Sequence, residues 1–182
     1  MAYFDNAATT YPKPEVVYTS MDKFYRLNGA NAGRGRYNLA QSANALIGET
    51  RALVQELLHC PAKQVVFTPT ATIALNIIIQ GLICKGAKTI YISPFEHNAV
   101  TRTLHHFEEA GTISVHQLTV SQDFKYDLDR MRYQFESVCP DLVIMSHASN
   151  VLGNLFVSQK VWCNYCNRYG TDCWACRLQS RA

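Results

Sequence analysis

The apolar positions change rhythm near Pro61, and the change separates a helical stretch from an alternating one. Over residues 39–59 they fall at Leu39, Ala43, Leu46, Ile47, Leu53, Val54, Leu57 and Leu58. That spacing predicts a helix of about six turns. Val16, Val17, Met21 and Phe24 keep the same period, and Pro14 suits the first turn of a helix there. Between the two lies a glycine-rich basic loop, residues 28–37. Beyond Pro61, short apolar runs at 65–67, 89–92, 113–120 and 142–145 read as strands. Helical stretches fall at about 72–82, 99–110 and 158–169, and Asp127 caps another that reaches Phe135. Strands alternating with helices predict βαβ units, hence an α/β fold of three layers, α/β/α, around a mainly parallel sheet. Such sheets bind ligands beyond the carboxyl ends of their strands, which directs attention to loops 68–72, 93–98 and 146–153.

The chain has 182 residues, 48% of them hydrophobic, which suffices for one domain with a real core and excludes wholesale disorder. The net charge of +3 comes without a dense Lys/Arg block, so neither a nucleic-acid nor a membrane partner is expected. The apolar run at 73–84 is broken by Asn76, Gln80 and Gly81 and is too short to span a bilayer. The first residues, Met1 to Asn6, lack a basic stretch followed by an apolar one, so a cytoplasmic location is expected. The seven cysteines are then read as reduced thiols.

Each of the three loops carries candidate chemistry beside a plainer reading. Thr68-Pro69-Thr70-Ala71-Thr72 runs into a helix, where amides and hydroxyls cradle phosphate or simply cap the helix. His97 lies beyond a strand end, where it can stack on a planar ligand, exchange protons, or stand as a surface residue. Asn150 follows the last apolar strand and either donates to a phenolate-type oxygen or makes a turn. Cys163-x2-Cys166 and Cys173-x2-Cys176 present four thiolates that could hold zinc, although the six-residue spacer is short for such sites. The alternative is a helix bearing two small apolar cysteines followed by an unrelated tail. Cys60, Cys84 and Cys139 are isolated and read as packing residues, and of His105 and His106 one is expected to be exposed.

Taken together, these segments resemble a family. Tyr3 to Thr10 (YFDNAATT) resembles the "YLDNAATT" start of cysteine desulfurases and related class V aminotransferase-fold enzymes. Asn31 to Gly35 (NAGRG) resembles their "NVHRG", Phe67 to Asn76 (FTPTATIALN) their "FTxGATEAIN", Glu96 to Ala99 (EHNA) their "EHHAN", and Ser146 to Gly153 (SHASNVLG) their "SHVSNVLG". The departures are Pro69-Thr70 in place of a glycine, Ile73 for a glutamate, and Gly33 and Tyr37 where histidines stand. They fit a divergent subfamily.

The resemblance implies the amino-terminal part of a fold-type I pyridoxal 5′-phosphate transferase large domain. It divides the chain into an arm at 1–14 near the substrate entrance, a partial cofactor-binding domain at 15–171 and a divergent tail at 172–182. It implies that Ala71 and Thr72 would hold the cofactor phosphate, His97 would stack on the pyridine ring and Asn150 would bond its phenolic oxygen. Asn6, Ala7 and Arg34 would lie near the substrate entrance. The implied reaction turns L-cysteine into L-alanine, with sulfur passed to an enzyme cysteine, and the implied assembly is a homodimer; the implied pathway is iron–sulfur cluster assembly or another sulfur transfer. A different class V aminotransferase or a selenocysteine lyase is the alternative within the family. A thiol-rich metal-binding or partner-binding module is the alternative outside it. In the family, the lysine that forms the Schiff base lies in a Ser-x-His-Lys motif, and the sulfur-carrying cysteine lies on a later loop. Neither lies within these residues, nor does the aspartate expected to pair with the pyridinium nitrogen. The match stops near Asp172, so the chain reads as a truncated form, of the kind a frameshift makes. Binding of the cofactor is then noncovalent at best, and activity alone is not expected.

Overall fold

The computed structural model describes residues 2–6 and 8–146, which fall into two compact units divided after Phe67. In the first unit, α1 (Glu15–Asn28) packs against α2 (Asn38–Leu57), with Ala40 and Ala43 buried. Asn44 of α2 donates its side-chain amide to the Gly33 carbonyl (3.2 Å), pinning the glycine-rich loop to that helix. The Arg51 guanidinium lies 5.8 Å over the Phe67 ring, a cation–π contact that closes the unit.

The second unit is a sandwich of helices around a sheet. Its elements are α3 (Ala71–Cys84), β1 (Thr89–Ile92), α4 (Asn98–Glu109), β2 (Ser114–Gln117), α5 (Leu128–Ser137) and β3 (Leu142–Ile144). The strands pair in the order β2-β1-β3, and both pairs are parallel. Side chains alternate across a strand, so β1 feeds two cores. Ile90 and Ile92 join Ile79 and Ile83 of α3 and Val100 and Leu104 of α4 on one face. Tyr91 joins Met131 and Phe135 of α5 on the other. His116, the register partner of Tyr91, stacks on its ring at 4.9 Å, and Phe135 meets the same ring edge-on at 5.0 Å. The α/β/α layering and parallel sheet therefore match the sequence expectation.

Schellman turns return the chain from helix to strand. After α3, the Gly86 amide bonds the Ile83 carbonyl (2.9 Å) and the Ala87 amide the Leu82 carbonyl (3.1 Å). After α4, Gly111 and Thr112 repeat the pattern on Glu108 (2.9 Å) and Phe107 (3.0 Å). Both glycines sit at positive φ, 105° and 66°.

Four sequence expectations are corrected. The run 65–67 is not a strand among the described residues, and Val66 is 77% exposed. A strand is a paired state, and a short apolar run has no strand character without a neighbour. The stretch 113–120 yields only the four-residue β2, because the chain then bends so that Val120 bridges Tyr126 in antiparallel fashion. Cys84 and Cys139 are exposed rather than packed, and His105 and His106 are both exposed on α4. The tail at 172–182 and the helix expected at 158–169 lie outside the described residues. No helix among the described residues is long and apolar enough to cross a membrane.

Candidate functional site

Helices α3 and α4 each lead from their carboxyl ends into the start of a parallel strand, so both run opposite to the sheet. Their amino termini therefore share the carboxyl edge of the strands, where α/β folds bind ligands. A side-chain bridge fixes the pair. Asn76 on α3 donates its amide to the Thr72 carbonyl (2.9 Å), and its Oδ1 accepts the Thr103 hydroxyl of α4. Thr103 also approaches the Ala99 carbonyl (2.8 Å), one turn from the start of α4.

The α3 terminus is capped by Thr70, whose hydroxyl accepts from the Ile73 amide (3.2 Å) while its carbonyl takes the Ala74 amide (3.1 Å). The Ala71 and Thr72 amides are left without an acceptor among the described residues, and both residues are exposed. Open amides at the positive end of a helix macrodipole, beside threonine hydroxyls, suit a phosphoryl group.

His97 is the N-cap of α4, and its Nδ1 accepts the Ala99 amide (3.1 Å). In the neutral ring this puts the proton on Nε2 and fixes the ring's direction, while the side chain stays exposed. The structure thus brings Ala71, Thr72 and His97 to adjoining helix starts at one edge of the sheet.

Glu96 is the residue that sequence reasoning passed over. Its Oε1 accepts the Ser93 hydroxyl (2.5 Å) and the Ser146 amide (2.5 Å), and its Oε2 accepts the Ser146 hydroxyl (3.0 Å). Ser93, 1% exposed, also donates its amide to the Ile144 carbonyl (3.0 Å), continuing the β1–β3 ladder. One half-buried carboxylate therefore joins the segments that follow β1 and β3. Tyr126 adjoins this group. Burial pushes its phenol pKa up, the Ser93 hydroxyl draws it down, and the Glu96 charge raises it further. The signal for Glu96 in the sequence is its place at the head of the segment Glu96 to Ala99, directly before His97, and nothing local ties it to a residue 50 positions on.

The other candidates belong to the first unit or lie outside the described residues. Asn6 uses its Oδ1 to accept the Tyr11 amide (3.1 Å) within the first unit, and Arg34 lies exposed in the glycine-rich loop of that unit. Ala7, Asn150, Cys163, Cys166, Cys173 and Cys176 lie outside the described residues. Among the described residues, no group of His, Cys, Asp and Glu side chains could hold a metal.

Relatives share this arrangement of chain. The chain is 29% identical to the cysteine desulfurase SufS of Plasmodium falciparum, over 88% of its own length and 30% of that protein. It is 30% identical to a probable cysteine desulfurase of Xylella fastidiosa, over 85% of its own length and 38% of that protein. It thus spans less than half the length of either relative. In three dimensions it is similar to the apo cysteine desulfurase of Thermococcus onnurineus NA1, with a TM-score of 0.82 at 24% identity, covering 92% of this chain and 42% of that one. A NIFS-like protein gives a TM-score of 0.78 at 26% identity, over 92% of this chain and 46% of that one. The profile of the family described as Aminotransferase class-V matches residues 2–171. With that match running through both units and all three loops, the chain belongs to the class-V aminotransferase family.

Proposed function

We propose that this chain is the cofactor-binding, amino-terminal part of a cysteine desulfurase-like enzyme of that family, whose members use pyridoxal 5′-phosphate. The observation that carries the reading is the paired start of α3 and α4 at the carboxyl edge of the sheet, bridged by Asn76 and Thr103. The residues there fit the cofactor. The open amides of Ala71 and Thr72, with the Thr72 hydroxyl, take the phosphate, and the exposed His97 ring, held by its Nδ1 bond, offers a flat face to the pyridine. Asn150 is proposed to donate to the ring's phenolic oxygen, and Asn6, Ala7 and Arg34 to line the approach of substrate. When bound, the cofactor supplies an electron sink for charge developing on an amino acid.

L-cysteine is the proposed substrate, in keeping with the relatives named cysteine desulfurase and with SspA, a structural neighbour in complex with cysteine (TM-score 0.75, 25% identity). Sulfur transfer toward iron–sulfur cluster assembly, a homodimeric parent enzyme and a cytoplasmic setting complete the proposal.

Equilibrium dialysis of the chain with pyridoxamine 5′-phosphate, which cannot condense with stray lysines, tests the reading. Saturable binding is expected, weakened about tenfold by Thr72→Ala through loss of a hydrogen bond to a charged group. His97→Ala is expected to weaken it as well. Absence of saturable binding, or binding indifferent to both substitutions, overturns it.

A further inference from the structure

We propose that Glu96 is a positioning residue of this site, setting the His97 ring and the segment at Ser146 against a bound aromatic ligand. The inference rests on the cofactor reading above and adds a residue to it. The donors on Glu96 come from both sides of the β1–β3 seam: the Ser93 hydroxyl from one, the Ser146 amide and hydroxyl from the other. Among the described residues no Lys or Arg forms an ion pair with Glu96. Three directional donors therefore hold the carboxylate, and each fixes an angle as well as a distance.

The backbone beside it is fixed in turn. The Phe95 amide bonds the Ser93 hydroxyl (3.3 Å), and the Phe95 ring meets Phe124 and Tyr126 edge-on at 6.2 and 6.3 Å. On the other side, the His97 carbonyl takes the Val100 amide (2.8 Å). The residue that carries the imidazole is thus clamped between the Glu96 staple and the first turn of α4. A phosphate seated at the start of α3 needs none of this, whereas an aromatic ring lying against His97 needs all of it.

That contrast supplies the test, made on the 182-residue chain with two probes, pyridoxamine 5′-phosphate and inorganic phosphate. Glu96→Gln keeps the shape but replaces one acceptor oxygen by a donor, and Ser146→Ala removes a single donor and spares the fold if the first variant does not. Each is expected to raise the Kd for pyridoxamine 5′-phosphate about tenfold, as loss of a charge-assisted hydrogen bond does. Each is also expected to shrink the circular dichroism induced in the bound ring, and to leave inorganic phosphate binding unchanged. Unaltered affinity and dichroism for pyridoxamine 5′-phosphate, or equal weakening of both probes, overturns the positioning role. Failure of the unsubstituted chain to bind pyridoxamine 5′-phosphate overturns the cofactor reading itself, and is seen before any variant is compared.

Discussion

Thr103 of α4 gives its hydroxyl to Asn76 of α3, a side-chain bond between two helices whose contact is otherwise apolar. Because Asn76 also holds the Thr72 carbonyl, the bridge sets the start of one helix against the start of the other. The candidate site thereby rests on a pair of polar residues half-buried at the top of the core.

Replacing Asn76 by Ala is expected to lower the unfolding free energy by about 1–3 kcal/mol, since Thr103 is left with only its local carbonyl. Thr103→Val removes the hydroxyl at nearly constant volume. Urea unfolding of both single variants and the double variant should show a coupling of about 1 kcal/mol. Strictly additive effects would mean that the two side chains do not act together.

The Schellman glycines should be costly to replace for a purely conformational reason. A Cβ at Gly86 or Gly111 meets nothing within 4 Å, yet φ is 105° and 66°. Gly86→Ala and Gly111→Ala are each expected to cost about 1–2 kcal/mol. Gly81 lies inside α3 in equally open space, and Gly81→Ala should stabilise by about 0.5–1 kcal/mol. Thermal midpoints that move in the same direction for all three would contradict this account.

Alkaline stability should depend on Tyr91. Burial raises its phenol pKa, with the Cys139 charge adding to the rise, and its hydroxyl donates to the Gln134 and Val138 carbonyls (3.1 and 3.0 Å). The folded state therefore keeps its proton where the unfolded chain gives it up. The contribution is present in full below about pH 10, the unperturbed tyrosine value, and is lost as pH rises through the raised folded value. Tyr91→Phe should flatten that part of a stability–pH curve while costing about 1 kcal/mol at neutral pH. An unchanged alkaline slope would show that Tyr91 is not the responsible group.

The two faces of the sheet should respond independently. Leu104 and Met131 are each 1% exposed and belong to separate clusters on opposite faces. Truncation of either to Ala is expected to cost about 2–5 kcal/mol through lost burial and the cavity left behind. The double variant should show the sum within about 0.5 kcal/mol, and a larger departure in chemical denaturation would reveal one shared core instead of two.

The helices were legible because their apolar residues repeat with the helical period, and α3, α4 and α5 begin within a residue or two of the expected places. Strand ends were less legible. At Leu118, 2% exposed, burial continues past the end of β2, so an apolar pattern cannot show where pairing stops. Among candidate residues, His97 and Thr72 stood out for their position after strand-like runs. Nothing in the sequence showed that the His97 ring also caps α4.

By itself the sequence determined the alternation of strand and helix, the parallel sheet it entails and the loops that carry polar chemistry, because these follow from local period and turn residues. Only the tertiary structure decided the strand order β2-β1-β3, the meeting of α3 with α4 through Asn76 and Thr103, and the closure of Glu96 onto Ser146. Those are contacts between residues far apart in the chain. They arise when two cores pack on opposite faces of one sheet, and no local pattern of residues encodes which distant donor a carboxylate will meet.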